Sequence, residues 1–356
     1  MPLYMDIHTV DSDTFSVEDV VKAHMEDLAI QEQFDVIQLK YWVNVEAKTL
    51  FCLMEGPNRE ACNQVHKQSH GNTACNIIEV SDNEFNLFMG EGTDVNDLAQ
   101  TNSGELDTGY RTIMLTNIVC FLEQKSSYLE EIHEIIIKNN GVIIPEPDNQ
   151  IMVSFIYATD AISCAASIKK ILGSKKDAIE FNLAVVSGRP VDEEGDNFFE
   201  ETKLKVNILC SLGLSRKMYL DSATNLLSDK ESPERKEDQP GDFTLVKDED
   251  LKLLMELSET INSNFNRSGF KSEDLTALLG LSKSQAYRKI KFLTGMAPNQ
   301  LIQEFRLQKA ISHIMKSKKT MAEIAYESGF NSPTYFTRVF KKRFGISPTD
   351  FAGYQQ

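Results

Sequence analysis

TMAEIAYESGFNSPTYFTRVFKKRFGISPTDF, residues 320–351, decides how the rest of this 356-residue chain is read. Thr320 and Glu323 form a capping box ahead of a short helix, Ile324 and Ala325 turn inward, Gly329 supplies a turn, and Ser332-Pro333 opens a second helix with proline at its first position. The plan has already been used once upstream. Ser272 opens a short helix carrying Leu275, Leu278 and Leu279, Gly280 turns, and Ser282 with Gln285 forms the next capping box. The turn glycines are 49 residues apart and the caps 50, and Arg288, Lys291, Gly295 and Pro298 return as Arg338, Lys341, Gly345 and Pro348 at that same spacing of 50. Two helix-turn-helix units result. Between them, Pro298 to Lys316 reads as one long helix with Leu301, Ile302, Phe305, Ala310, Ile311 and Ile314 on its apolar side.

Charge separates this block from what precedes it. The chain carries −16 overall, but residues 1–244 hold 20 Lys and Arg against 42 Asp and Glu, a net of −22, whereas the remainder holds 17 against 11, a net of +6. An acidic body therefore precedes a basic end that suits a polyanion. A recognition helix needs short polar side chains on its first turn to reach base edges and basic ones farther along to neutralise phosphates. Lys283, Ser284, Gln285, Arg288 and Lys289 meet that need in the first unit, and Ser332, Thr334, Tyr335, Arg338, Lys341 and Lys342 in the second, with Arg343 also expected near the backbone. The stretch 320–351, with SKSQAYRKIKFLTGMAPNQLIQEFRLQKA at 282–310 as its first half, resembles the AraC/XylS regulator family. The resemblance implies double-stranded promoter DNA as partner, with RNA polymerase a candidate second one, and makes Phe336, Phe340 and Phe344 packing residues.

Two α/β blocks and two connections precede it, so the fold class expected is α+β. Residues 1–82 alternate strand and helix patterns at Leu3–His8, Val17–Phe34, Gln38–Val43, Thr49–Glu55, Arg59–His70 and Asn76–Val80, the β-α-β-β-α-β order of a ferredoxin-like domain. Residues 83–108, rich in Asn, Asp, Gly and Ser apart from an apolar clump at Phe85–Met89, read as a linker. Residues 109–228 form the second block, residues 229–244 a flexible tether that overlaps the charged stretch SDKESPERKEDQPGD at 228–242, and residues 245–356 the all-α end.

The second block resembles a class III nucleotidyl cyclase domain, through TIMLTNIVCF at 112–121, NNGVIIPEPDNQIMVSF at 139–155, ATDAISCAASIKKIL at 158–172 and FNLAVVSGRPVDEEGDNFF at 181–199. Such enzymes hold two metal ions with two carboxylates. On that pattern the carboxylate positions are Asn117 and Asn149, neutral amides, with Asp148 pointing elsewhere; the family's transition-state residues would fall near Leu204 and Ile208 and its base-reading lysine near Pro145. The expectation is a domain without catalysis, retained for dimerisation or ligand sensing.

Four of six histidines lie in the first 70 residues. His66 and His70 are four apart on one helix face, His8 shares a strand face with Tyr4 and Asp6, and His24 completes the candidate metal set. Imidazole suits zinc, copper or nickel, and the same spacing also fits core packing. The segments MPLYMDIHTV, AHMEDLAIQEQF, LKYWVN, FCLMEGPN, VHKQSHG and IIEV resemble a small nickel-binding ferredoxin-like family, which makes nickel the implied metal.

The six cysteines lie far apart with no Cys-x-x-Cys pair, which argues for free thiols rather than a disulfide frame. No apolar run reaches a membrane span and the start lacks a basic leader, so a cytoplasmic protein is expected. The reading is a homodimeric, non-enzymatic regulator of transcription that senses a metal or small ligand. Its rivals are a nickel-sequestering protein with a DNA-binding tail and an active nucleotide cyclase, separable by metal titration with a gel shift and by incubation with ATP or GTP.

Overall fold

The computed structural model describes residues 1–90, 97–121, 126–146, 150–174, 179–214, 216–232, 243–316 and 318–355. In the first block, strands β1 (Leu3–Thr9), β2 (Ile37–Asn44), β3 (Thr49–Glu55) and β4 (Asn76–Val80) alternate with helices α1 (Val17–Ile30) and α2 (Arg59–Ser69). Their sheet order, β4-β1-β3-β2 with antiparallel neighbours, is the ferredoxin-like one. Ser16 and Asp19 cap α1 reciprocally, and Asn58 caps α2 by accepting from the Ala61 N–H. Helix α1 stops four residues short of the expected Phe34: the chain tightens into a 3-10 turn over Gln31–Phe34, closed by Asp35 at φ 54°.

The described parts of the stretch expected as a linker, residues 83–90 and 97–108, form a packed joint. Ser81 caps α3 (Asp82–Met89), which buries Phe85 and Phe88, and β5 (Asp97–Leu98) adds to the free edge of β2 in parallel. The apolar clump is too short to show a period, yet two buried rings suffice to fix one face of a short helix. Behind it, Arg111 is almost fully buried, donates to the Phe88 carbonyl and pairs with Asp107, which also accepts from the Trp42 indole at 3.3 Å. The joint therefore ties both sheets together.

The second block contains β6 (Arg111–Cys120), α4 (Ser126–Lys138), β7 (Val142–Ile144), β8 (Gln150–Phe155), α5 (Ala158–Ser174) and β9 (Ile179–Gly188), ordered β9-β6-β8-β7 and antiparallel throughout. That repeats the first sheet's plan. Helix α6 (Glu200–Ser211), β10 (Met218–Asp221), α7 (Ser222–Glu231) and β11 (Phe243–Val246) follow, with β10 and β11 extending the sheet in parallel beyond β9. Much of the expected tether, residues 233–242, lies outside the described residues. Its last two residues, Phe243 and Thr244, belong to β11, so the all-α block leaves directly from a sheet strand.

That block comprises α8 (Asp248–Asn264), α9 (Ser272–Leu278), α10 (Lys283–Thr294), α11 (Pro298–Lys316), α12 (Met321–Glu327), α13 (Pro333–Phe344) and α14 (Pro348–Gln355). The expected punctuation is present: reciprocal boxes at Ser282–Gln285 and Thr320–Glu323, a Ser332 cap, and Gly280, Gly295, Gly329 and Gly345 all at positive φ. Gly329 is the most constrained, because a Cβ there would collide with the Phe265 carbonyl oxygen. Arg306 staples the spacer helix α11 to the end of α8, donating to the carbonyls of Phe265, Arg267 and Phe270.

The cores are continuous across blocks. One apolar cluster runs from Trp42 and Phe51 through Phe198 and Leu209 to Leu254, Ile290 and Phe305. A second joins Val119, Phe121 and Leu214 of the middle block to Phe336, Phe340 and Phe351 of the second helix-turn-helix unit. Among the described residues all six cysteines are free thiols, five of them buried, and no helix is long and apolar enough to cross a membrane.

Candidate metal centre and nucleic-acid interface

Side-chain alternation on β1 sends Asp6 and His8 to the same face, where α1 and α2 cover them. His66, almost fully buried on α2, donates one ring N–H to Asp6 at 2.8 Å and the other to Asp27 of α1 at 2.9 Å. His8 approaches Asp6 at 3.3 Å and sets its ring edge-on to His66, 4.7 Å between centroids. His70 reaches Asp27 at 3.3 Å. The donor atoms of Asp6, His8, Cys52 and His66 all lie within 4.8 Å of one another, as do those of Asp27, His66 and His70.

Burial disfavours charge on Asp6, Asp27 and His66, and pairing outweighs it. For His66, burial alone would lower the pKa, but hydrogen bonds to Asp27 and Asp6 overcome that and lift it to about 10. Burial would raise Asp6, yet the His8 charge and hydrogen bonds from both histidines hold its carboxyl well below the usual range. Asp27 is held down in the same way, by hydrogen bonds from His66 and His70 against its own burial. The Cys52 thiol is pushed well up, first by burial and then by the Asp6 charge.

The expected set of four histidines is thus partly assembled. His8, His66 and His70 converge, while His24 stands outside both clusters, its ring 4.3 Å from that of Tyr41. His24 lines the same cavity, of about 570 Å³, and neither of its ring nitrogens has a hydrogen-bond partner among the described residues although both are buried. Sequence reading missed Asp27 and Cys52 as members. Asp6 was visible as the i−2 neighbour of His8; the other two come from distant elements and leave no spacing signal. Imidazole, carboxylate and thiol donors in one cluster, with unpartnered imidazole nitrogens in its cavity, fit a borderline-soft divalent metal such as nickel or zinc.

At the other end, Lys283, Ser284, Gln285, Arg288 and Lys289 are exposed on α10, and Thr334, Tyr335, Arg338, Lys341 and Lys342 on α13. Some are already engaged: Gln285 accepts from the Ser282 N–H, and Lys283 sits 3.4 Å from Glu273. Ser332 is half-buried and accepts from the Tyr335 N–H, which makes it the cap of α13. Arg338 lies over the Tyr335 ring at 5.3 Å, and Lys291 over Tyr287 at 5.3 Å, a cation–aromatic pair at non-equivalent positions of the first unit that the expected contact set lacked. Phe336, Phe340 and Phe344 are buried as expected.

Residues 275–353 match a family described as helix-turn-helix domain. The C-terminal block is an AraC-type helix-turn-helix domain. Residues 4–80 match a second family, described as nickel responsive protein SCO4226-like. A stretch of 102 residues is 32% identical to a histidine kinase P4 of Formosa agariphila, over 29% of this chain and 7% of that protein. Over 79 residues the chain is 29% identical to the HTH-type transcriptional regulator MtrA of Neisseria gonorrhoeae, spanning 22% of this chain and 26% of the relative. The chain thus spans under a third of the length of either of these two relatives. The solved structure of SCO4226 from Streptomyces coelicolor is 32% identical, covering 22% of this chain and 94% of that one, at a TM-score of 0.21.

Arg343 departs from its expected place at the DNA backbone. Its Nε meets Glu304 of α11 at 3.0 Å, one terminal nitrogen meets Glu180 of β9 at 3.2 Å, and the other donates to the Leu214 carbonyl. Two carboxylates draw it inward, so the second recognition helix is bolted to the middle block. Phe121 continues that contact by stacking on Phe344 at 4.6 Å. The first unit is fastened too, through Met296 against Gly213 and through Lys217 Nζ donating to the Leu293 carbonyl at 3.4 Å.

Some of the middle-block positions compared with a cyclase lie among the described residues. Asn117 is half-buried on β6, paired in register with Gln150 on β8 and Asn182 on β9. Asp148 and Asn149 lie outside the described residues. Leu204 and Ile208 lie on α6, and Pro145 just after β7.

Proposed function

We propose that this chain regulates transcription by gripping promoter DNA through its two helix-turn-helix units, and that a divalent transition metal held in the N-terminal block sets that grip. The observation that carries the reading is the placement of two capped units, their polar and basic faces exposed, on a body that bolts to both and contains a buried His-Asp-Cys cluster. Phosphate contacts by Lys341 and Lys342 would supply sequence-independent affinity, while Arg288 and Arg338 would address base edges.

His66, Asp6, His8 and Cys52 would hold the ion, with His24 within the same cavity. When bound, it supplies positive charge between two buried carboxylates that His66 otherwise supplies by staying protonated. A chain of contacts leads away from there. Thr9, next to His8, donates to Glu193 at 3.2 Å; Asn76 donates to the Asp192 and Gly195 carbonyls at 2.9 Å; and Asp192 accepts from the Glu201 N–H at the start of α6. Helix α6 ends just before Leu214, whose carbonyl receives Arg343. A shift at the cluster thereby has a packed route to the second recognition helix.

Dimerisation through the acidic body and contact with RNA polymerase belong to the same proposal and rest on the sequence resemblances alone. So does the absence of catalysis, which the amides Asn117, Gln150 and Asn182 support, because neutral side chains do not hold a pair of Mg²⁺ ions. The test is selection of genomic fragments by the purified full chain, with Ni²⁺ and with chelator. Enrichment of one recurrent site that depends on metal supports the reading; recovery no better than random competitor under both conditions overturns it.

A further inference from the structure

A second cavity, of about 310 Å³, lies where the middle block meets the spacer helix α11. Asn117 and Val119, alternate residues of β6, form one wall with Gln150, and Phe305, Gln308, Lys309, Ser312 and Lys316 line the opposite wall at helical spacing. No carboxylate lines it among the described residues, in a chain whose acidic side chains outnumber its basic ones by 16. Lys309 is half-buried with its ammonium over the Phe265 ring at 5.6 Å. Burial, and after it the Lys316 charge, pull its pKa down, the behaviour of a cation without a carboxylate to balance it. Gln308 Nε2 is a buried donor with no acceptor among the described residues. Leu214 and Phe305 give the space an apolar floor.

We propose that this cleft is an effector site for a small organic anion, its carboxylate or phosphate held by Lys309 with the Gln308 and Asn117 amides, its carbon body resting on Phe305 and Leu214. At about 30 Å³ for each water the space equals the volume of roughly ten waters, the scale of a small metabolite and not of a dinucleotide. The ligand touches a strand of the body and the helix joining the two readers at once, so its occupancy tightens the body against both. This site is separate from the metal cluster, and its test needs no metal.

The test uses the full chain in chelator, with thermal melts and calorimetry against glycerol 3-phosphate and benzoate, each compared with sodium chloride at equal ionic strength. One of the two at about 10 Kd should raise the melting temperature by about 2 °C. Lys309→Met should weaken that binding at least tenfold, while Lys309→Arg and Arg338→Ala keep it. Should Lys309→Met fail to fold, Ser312→Asp, which places a carboxylate in the cleft, must abolish binding instead. The proposal fails if neither anion exceeds chloride, if binding survives these cavity substitutions, or if Arg338→Ala removes it, which would place the anion on the DNA-binding face.

Discussion

Replacing Arg343 by Met separates its two assignments, phosphate contact or interblock bolt. The guanidinium contacts Glu304, Glu180 and the Leu214 carbonyl, and Glu304 is only 5% exposed. Burial pushes the Glu304 carboxyl up and Arg343 pulls it back, so losing the arginine strands an acid in the interior. Breaking a buried pair costs about 3–5 kcal/mol. The Arg343 side chain retains 28% exposure, so solvent screening lowers the expected loss to about 2–3 kcal/mol. Glu180 keeps a partner in Arg216 at 3.3 Å and adds little to that figure. In the double variant Glu304→Met/Arg343→Met neither charge is stranded, and stability should return to within about 1 kcal/mol of the parent. Urea unfolding of the metal-free chain, followed by far-ultraviolet circular dichroism, measures both. A single variant as stable as the parent but with weakened DNA binding would restore Arg343 to the backbone; a double variant no better than the single would remove the buried charge as the cause.

Arg338→Ala should leave the melt unchanged and weaken binding to the selected DNA site by about 1–3 kcal/mol, whereas Lys341→Ala should lower the slope of affinity against salt by about one without changing sequence preference; an unchanged gel shift for both would move the interface elsewhere. Gly280 and Gly329 share positive φ, but only Gly329 faces a carbonyl. Gly280→Ala should therefore cost about 1 kcal/mol and Gly329→Ala should prevent the second unit from folding, and equal melts would contradict that difference. His66→Ala should weaken Ni²⁺ binding at least about tenfold by calorimetry and also lower the metal-free melt, because Asp6 and Asp27 lose their shared donor; retained affinity would exclude His66 as a ligand.

Much of the architecture could be read because its signals are local. Strands β3 and β4 have the bounds their alternation implied, and the boxes at Ser282 and Thr320 mark helix starts that hydrogen bonds within four residues determine. What escaped is non-local. Helix α6 shows no strong amphipathic pattern because it is covered on more than one side, by β9 and β6 and by α8. Phe85 and Phe88 looked like a stray clump because their partners, Phe198 and Phe199, lie more than a hundred residues away. In the metal cluster, Asp27 and Cys52 join His66 only after the sheet forms. Arg343 stood in a basic run with Lys341 and Lys342, and the rotation of about 100° per residue along the helix decides that it faces carboxylates while they face solvent.

The most direct measurement is the affinity of the full chain for its selected fragment and for random competitor, by fluorescence anisotropy at fixed salt, with Ni²⁺ and with chelator. Preference for the fragment by about a thousandfold or more in the metal state that favours binding, and a clear change between the two states, is the predicted result. Equal affinity for fragment and competitor, or curves that superimpose with and without Ni²⁺, would contradict a metal-set grip on specific DNA.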